Sequence, residues 1–232
     1  MRLIHTSDWQ IGKAFGFADD ATREILREER LEVIVRLGHL AQEQGITTIL
    51  VAGDVYDVVS PSDRTLRQPV ERMRQFPRIR WHVIPGNHDP HTSFGPWDRL
   101  TRLGLPDNVI PHLSSEPMSL GDGMAFVVPA VLTRRHAVSD PTEDMDLVAT
   151  PDGATRIDLA HGSLTNFGSD PGATHNLIAF DRAERAGLAY LALGDWHGAQ
   201  LMGPRSAYSG TPEPDGFDLG GRGGRGGAAG GD

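Results

Sequence analysis

The chain has no cysteine, which excludes disulfides, thiolate metal ligands and cysteine nucleophiles. Lysine is almost missing as well: Lys13 is the only one, so positive charge rests on arginine. No apolar run approaches the ~20 residues needed to span a membrane. The first apolar run begins at Arg2, so no signal peptide is expected. With no cysteine to protect, these features fit a reducing cytoplasm, the compartment expected here. Net positive charge is also lacking, the formal value being −9 over 232 residues. That argues against tight, sequence-independent DNA binding by the bulk surface. It leaves open a local basic strip, or a metal site that supplies its own charge.

What is present is a repeating order. RLIHTS reads as a strand, and residues 21–44 carry Leu, Ile and Val at helical spacing up to Gly45. ITTILVAGD is a buried strand, residues 62–75 are helical, and RIRWHVIPGNHD is a strand running into a loop. This βαβαβ order predicts a parallel sheet with helices on its faces. The second half holds short strands in MAFVVP, RIDLAHG and AYLALGD, with a helical patch near 180–187. They are expected to form a second sheet packed on the first.

Strand after strand ends in a polar donor: Asp8, Asp54, Asn87, His161 and Asp195. Parallel strands of an open α/β sheet place their carboxyl ends along one edge, where ligands bind. VAGDVYD adds Asp57, PGNHD adds His88 and Asp89, LGDWHG adds His197, and SDWQ adds Gln10. Oxygen and imidazole donors in these numbers suit two divalent cations. Gly53, Gly86 and Gly194 each precede a donor, where a sharp turn of the backbone is expected.

In these motifs the sequence resembles the calcineurin-like metallophosphoesterases. GDVYD and GNHD match that family's pattern outright, His161 matches its lone histidine, and HTSDWQIGK with YSGTPEP (208–214) resembles the branch of SbcD-type DNA-repair exonucleases. The resemblance implies an α/β fold, a four-layer α-β-β-α sandwich of two mixed sheets flanked by helices. It implies one metallophosphoesterase domain over residues 1–214, and the glycine-rich composition of residues 215–232 predicts a disordered tail. It implies metal-dependent phosphodiester hydrolysis, as a DNA exonuclease or endonuclease in repair. The alternatives are a small-substrate phosphodiesterase or phosphatase, and a non-catalytic relative that binds DNA or an ATPase. The implied partners are DNA, an SMC-like ATPase subunit and a second copy of the chain, with no membrane.

By position, one cation takes Asp8, the bridging Asp54, His197 and Gln10, and the other takes Asp54, Asn87, His161 and Asp195. The chain departs from the family at two of these places. D-x-H is D-W-Q, and G-H-x-H is G-D-W-H, so Gln10 and Asp195 stand where imidazoles are usual. Both changes shift ligation towards oxygen, which favours Mn²⁺, with Mg²⁺ as the alternative, over zinc. Gln10 offers only an amide oxygen, so the first position is expected to be the looser one. His88 is expected to act on the phosphate rather than on a metal, as general acid or charge stabiliser, with Asp57 orienting its ring.

Other residues have plainer readings. Trp9 and Trp196 read as packing around the site, and Lys13, Phe15 and Phe17 as bordering the cleft or covering the sheet edge. Residues 64–80 hold six arginines against one glutamate. That strip reads either as a solvated helix face or as a contact for a nucleic-acid backbone or partner.

Overall fold

The computed structural model describes residues 1–58, 60–121, 123–166 and 175–213. The expected tail at 215–232 and Pro214 lie outside the described residues.

Four parallel strands form the first sheet, in the order β1 (Ile4–Thr6), β2 (Thr48–Ala52), β3 (Arg80–Ile84), β4 (Val109–Pro111). Helices α1 (Asp20–Glu43), α2 (Asp63–Arg74) and α3 (Pro96–Leu103) make the crossovers. Their starts are written locally: Asp19 and Ser62 accept hydrogen bonds from the Thr22 and Thr65 amides, satisfying N–H groups that a helix end leaves open. Gly45, at φ 62°, turns the chain out of α1.

Alternation along the strands separates two cores. Ile49 and Val51 of β2, with Trp81 and Val83 of β3, face the helices and meet Leu31, Ile34, Leu66, Val70, Met73 and Phe76. Leu50, Ala52 and Ile84 point the other way, onto the second sheet. α1 comes close to the segment after α2 at Gly38, where any Cβ would fall on the Phe76 ring.

The second sheet runs β11 (Gln200–Leu201), β12 (Ser206–Tyr208), β10 (Tyr190–Gly194), β7 (Thr155–His161), β6 (Ala125–Pro129), β5 (Met118–Ser119). Its four inner strands are parallel, and both edge strands pair antiparallel. Val127, Ile157, Leu159 and Ala192 close the inter-sheet core against the first sheet. Each fully buried Leu, Ile or Val there contributes about 1.5–3 kcal/mol. The outer face is covered by a short helix, α4 (Arg182–Arg185), a 3-10 turn at Glu143–Leu147, and a small parallel pair, β8 (Ser163–Leu164) with β9 (Leu177–Ile178). The expected two-sheet sandwich with flanking helices is therefore present, with the first sheet parallel throughout and the second mixed.

The carboxyl ends of β1, β2, β3, β7 and β10 all reach one rim of the sandwich. β10 and β7 keep register up to Gly194 opposite His161, and β2 and β3 up to Ala52 opposite Ile84. Among the described residues, no helix is long and apolar enough to cross a membrane.

Candidate metal centre

At that rim Asp8, Asp54 and His161 converge, with one donor atom from each within 4.8 Å of the others. All three are buried, Asp8 and His161 completely. Asp8 and Asp54 have positive φ, 54° and 53°, a left-handed conformation that Asp tolerates better than most residues. Those turns aim both carboxylates inward instead of along their strands.

Among the described residues, three buried atoms facing the rim have no hydrogen-bond partner: Asp8 Oδ1, Asn87 Oδ1 and His161 Nε2. A buried polar atom left this way costs about 1–3 kcal/mol, and three from separate strands point to a bound cation that satisfies them together. The orientation of each is set by its other end. Asn87 Nδ2 donates to Asp195 Oδ1 at 3.1 Å, leaving the amide oxygen for the site. His161 Nδ1 lies 2.8 Å from the Ala52 carbonyl, which can only accept, so Nδ1 carries a hydrogen and Nε2 faces Asp54 Oδ1 at 3.5 Å. These residues fit a divalent cation.

The electrostatics agree. Burial pulls the His161 imidazole down, but the carboxylates of Asp54, Asp8 and Asp195 outweigh it and push the ring up to about 9. Burial raises Asp8 to about 6, with Asp54 adding to the rise and His161 opposing it. A proton on His161 thus takes up charge that a cation would neutralise.

Asp195, at φ 98°, sits 3.8 Å from His161 Nε2. Its carboxylate accepts from Asn87 and, at 2.6 Å, from Ser163. Its backbone N–H donates to Asp8 Oδ2 at 3.2 Å. His197 Nε2 lies 3.9 Å from Asp8 Oδ1 and 3.1 Å from Gln10 Nε2. Gln10 is buried, but its amide oxygen accepts from Lys13 at 2.6 Å. The Gln10 and His197 donors are therefore closed on each other, while Asn87 Oδ1 and His161 Nε2 stay open. The His88 backbone N–H donates to Asp54 Oδ1 at 2.9 Å, and its Nδ1 is 3.5 Å from Asp57 Oδ1. Burial raises the Asp57 carboxyl, with the neighbouring His88, Lys13 and Arg30 pulling it back.

The glycines before the donors supply room more than turning. Only Gly53 has a positive φ, 85°. A Cβ at Gly86 would fall on Asp54 Oδ1 and N, and one at Gly194 would lie 2.8 Å from His161 Nδ1. Those sites need backbone passing directly against a ligand.

Other contributors escape a reading by strand ends. Asp89, fully buried, accepts from the amides of Gly86 at 2.6 Å and Tyr56 at 3.1 Å, tying two donor loops together. Tyr208–Thr211 is a brace: Tyr208 Oη donates to Gly162 O at 3.0 Å, Ser209 Oγ lies 2.7 Å from Ser7 Oγ, and Thr211 Oγ1 donates to Asp8 O at 2.9 Å. Three polar side chains in one short stretch was the available signal.

Trp9 packs in the helix-side core, edge-on to Trp81 at 6.1 Å, and Trp196 packs beside the outer core. Phe15 is buried under Arg30, and Phe17 is exposed. The arginine strip is divided. Arg72 pairs with Glu28 and Glu32, and Arg74 with Glu71. Arg78 and Arg80 sit where β3 begins, away from the rim, which leaves exposed Arg64 and Arg67 as the arginines on its side.

The D subunit of nuclease SbcCD from Escherichia coli (strain K12) is 26% identical over 254 aligned positions, covering 94% of this chain and 62% of that protein. Its counterpart from Bacillus subtilis (strain 168) is 24% identical, covering 91% of this chain and 61% of that one. The counterpart from Rhodobacter capsulatus is 33% identical over 50% of this chain and 28% of its own. The chain thus spans less than two thirds of each of these relatives. The crystal structure of TT1561 of Thermus thermophilus shares the fold, with a TM-score of 0.56 at 11% identity over 90% of this chain and 88% of that one. Residues 1–199 match the calcineurin-like phosphoesterase family, and the chain belongs to that family.

Proposed function

We propose that this protein is a divalent-metal-dependent phosphodiesterase whose substrate is DNA. One observation carries the reading: Asp8 Oδ1, Asn87 Oδ1 and His161 Nε2, buried and without a hydrogen-bond partner among the described residues, face one place at the rim of a phosphoesterase fold.

A cation bound there, Mn²⁺ before Mg²⁺ given the oxygen-rich donors, supplies Lewis-acid stabilisation of charge building on a phosphoryl group. The protein's own groups do the rest. Asp54 is held by the His88 amide, so its carboxylate keeps one orientation. The His88 side chain is about one-third exposed, beside Asp57. That suits it to protonate the leaving oxygen while Asp57 fixes the ring. Asn87 and Asp195 lock each other across the two sheets, which sets the far wall of the site.

Support for DNA comes from the relatives named as subunits of nuclease SbcCD, and from exposed Arg64 and Arg67 beside the rim. Exonuclease or endonuclease action in repair, with an SMC-like ATPase subunit and a second copy of the chain as partners, follows from the same resemblance.

The test is Mn²⁺-dependent digestion of linear DNA beside bis-p-nitrophenyl phosphate, at two salt concentrations. Cleavage of both, with DNA turnover falling as salt rises, supports the proposal. Cleavage of the ester alone makes this a small-substrate phosphodiesterase. Cleavage of neither makes it a non-catalytic relative.

A further inference from the structure

We propose that the centre seats one tightly held divalent cation, at Asp8, Asp54, Asn87 and His161, and that the Lys13 ammonium, locked onto Gln10, compensates charge where a second cation would sit. This rests on the metal-dependent reading above and concerns how many ions it uses.

The argument is one of donors and acceptors. Lys13 Nζ lies 2.6 Å from Gln10 Oε1. An ammonium has only hydrogens to give, so the oxygen is the acceptor and the amide is not free to flip. Its nitrogen therefore faces His197 Nε2, at 3.1 Å. An amide nitrogen also only donates, so His197 Nε2 must accept with its lone pair. A cation needs that same lone pair. Both atoms that would complete a second seat, Gln10 Oε1 and His197 Nε2, are thus engaged in one chain, Lys13–Gln10–His197. By contrast Asn87 Oδ1 and His161 Nε2, with Asp8 Oδ1 between them and His197, have no hydrogen-bond partner among the described residues. The two seats differ in kind.

The backbone holds this arrangement in place. Gln10 is at φ 49°, its N–H donates to Asp54 O at 3.0 Å, and Lys13 N–H returns to Gln10 O at 3.2 Å. Gly12, at φ 92°, lies where a Cβ would meet Thr65 Cγ2 at 3.3 Å and Val58 Cγ2 at 3.4 Å. The turn therefore brings Lys13, the only lysine in the chain, back over Gln10. A fixed positive charge there offsets the carboxylates and repels a second dication.

Mn²⁺ titration of the full chain by calorimetry, with electron paramagnetic resonance of the loaded protein, tests this. The expected result is one Mn²⁺ per chain with an uncoupled spectrum, and any second ion at least ~10–100-fold weaker. Gln10→His restores an imidazole and takes up a second Mn²⁺, with exchange coupling in the spectrum. Lys13→Met strengthens binding of the second ion by removing the competing charge and releasing the amide. Two Mn²⁺ of similar affinity and a coupled spectrum in the unaltered protein overturn the inference and leave the hydrolytic reading standing. So does a folded Gln10→His variant that still binds one ion. A folded protein that binds no Mn²⁺ overturns the metal-dependent reading itself.

Discussion

Ser7 and Ser209, 202 residues apart, touch through their hydroxyls at 2.7 Å, and Ser7 Oγ donates to Asp8 Oδ2 at 2.5 Å. The segment after the last strand of the second sheet thereby fixes the first donor of the first sheet. Asp8 Oδ2 is held by Ser7 and by the Asp195 amide, which leaves Oδ1 as its ligating atom. Ser7→Ala should lower Mn²⁺ affinity by ~10–100-fold, the usual effect of losing a partner behind a ligand. Calorimetric titration checks this, and an unchanged affinity would show that the contact is incidental.

His88→Ala removes a ring but not the backbone N–H that holds Asp54. The expected outcome is a fall in kcat of ~10²–10⁴-fold, the usual worth of a positioned proton donor, with metal binding retained. Single-turnover rates measured alongside Mn²⁺ titration separate the two effects. Near-normal turnover would remove His88 from the chemistry.

Gly86→Ala places a methyl group against both the carboxylate and the amide of Asp54. The amide is backbone and the carboxylate is held by the His88 N–H, so the β3 loop must shift. A loss of about 1–3 kcal/mol is expected from overpacking, together with weaker Mn²⁺ binding. Chemical denaturation with and without Mn²⁺ reads both quantities.

Stability without metal should fall as pH rises from 6.5 to about 9. His161 is raised from 6.5 to about 9 and Asp8 from 3.8 to about 6. At each of these two groups the folded chain holds its proton to higher pH than the unfolded one, so their contribution to unfolding free energy declines with pH. The buried His5, His82 and His112, lowered to about 3, 3 and 4, act in the opposite sense below 6.5. The His161 contribution is complete below 6.5 and lost as pH passes 9. Mn²⁺ must displace that proton, so its affinity rises over the same window and binding at neutral pH releases a proton. Calorimetry in buffers of different ionisation heat counts it; zero release would mean that His161 is not a ligand.

Much of this was legible from one dimension. The β2 and β3 runs are continuously apolar because both faces are covered, and α1 and α2 carry caps and periodicity that mark their spans. The donors at the strand ends follow from parallel topology. What escaped reading depends on contacts between distant segments. Nothing around Gly86 announces that Asp54 passes against it, so its glycine reads as a turn. Asp89 looks like a third member of GNHD, yet its oxygens bind backbone amides of two loops. Gln10 reads as a weakened ligand, and only the fold brings Lys13 onto its oxygen and His197 onto its nitrogen. α3 was missed because the sequence before it, GNHDPHTSFG, reads as loop, while its start rests on Gly95 and Pro96 without a side-chain cap.

The central claim is that strand ends from both sheets deliver their donors to one cation. Anomalous scattering at the manganese edge, from crystals grown with Mn²⁺, tests it most directly. The account predicts a strong peak bonded to Asp8, Asp54, Asn87 and His161. No peak there, with those four side chains still facing the rim, would contradict it.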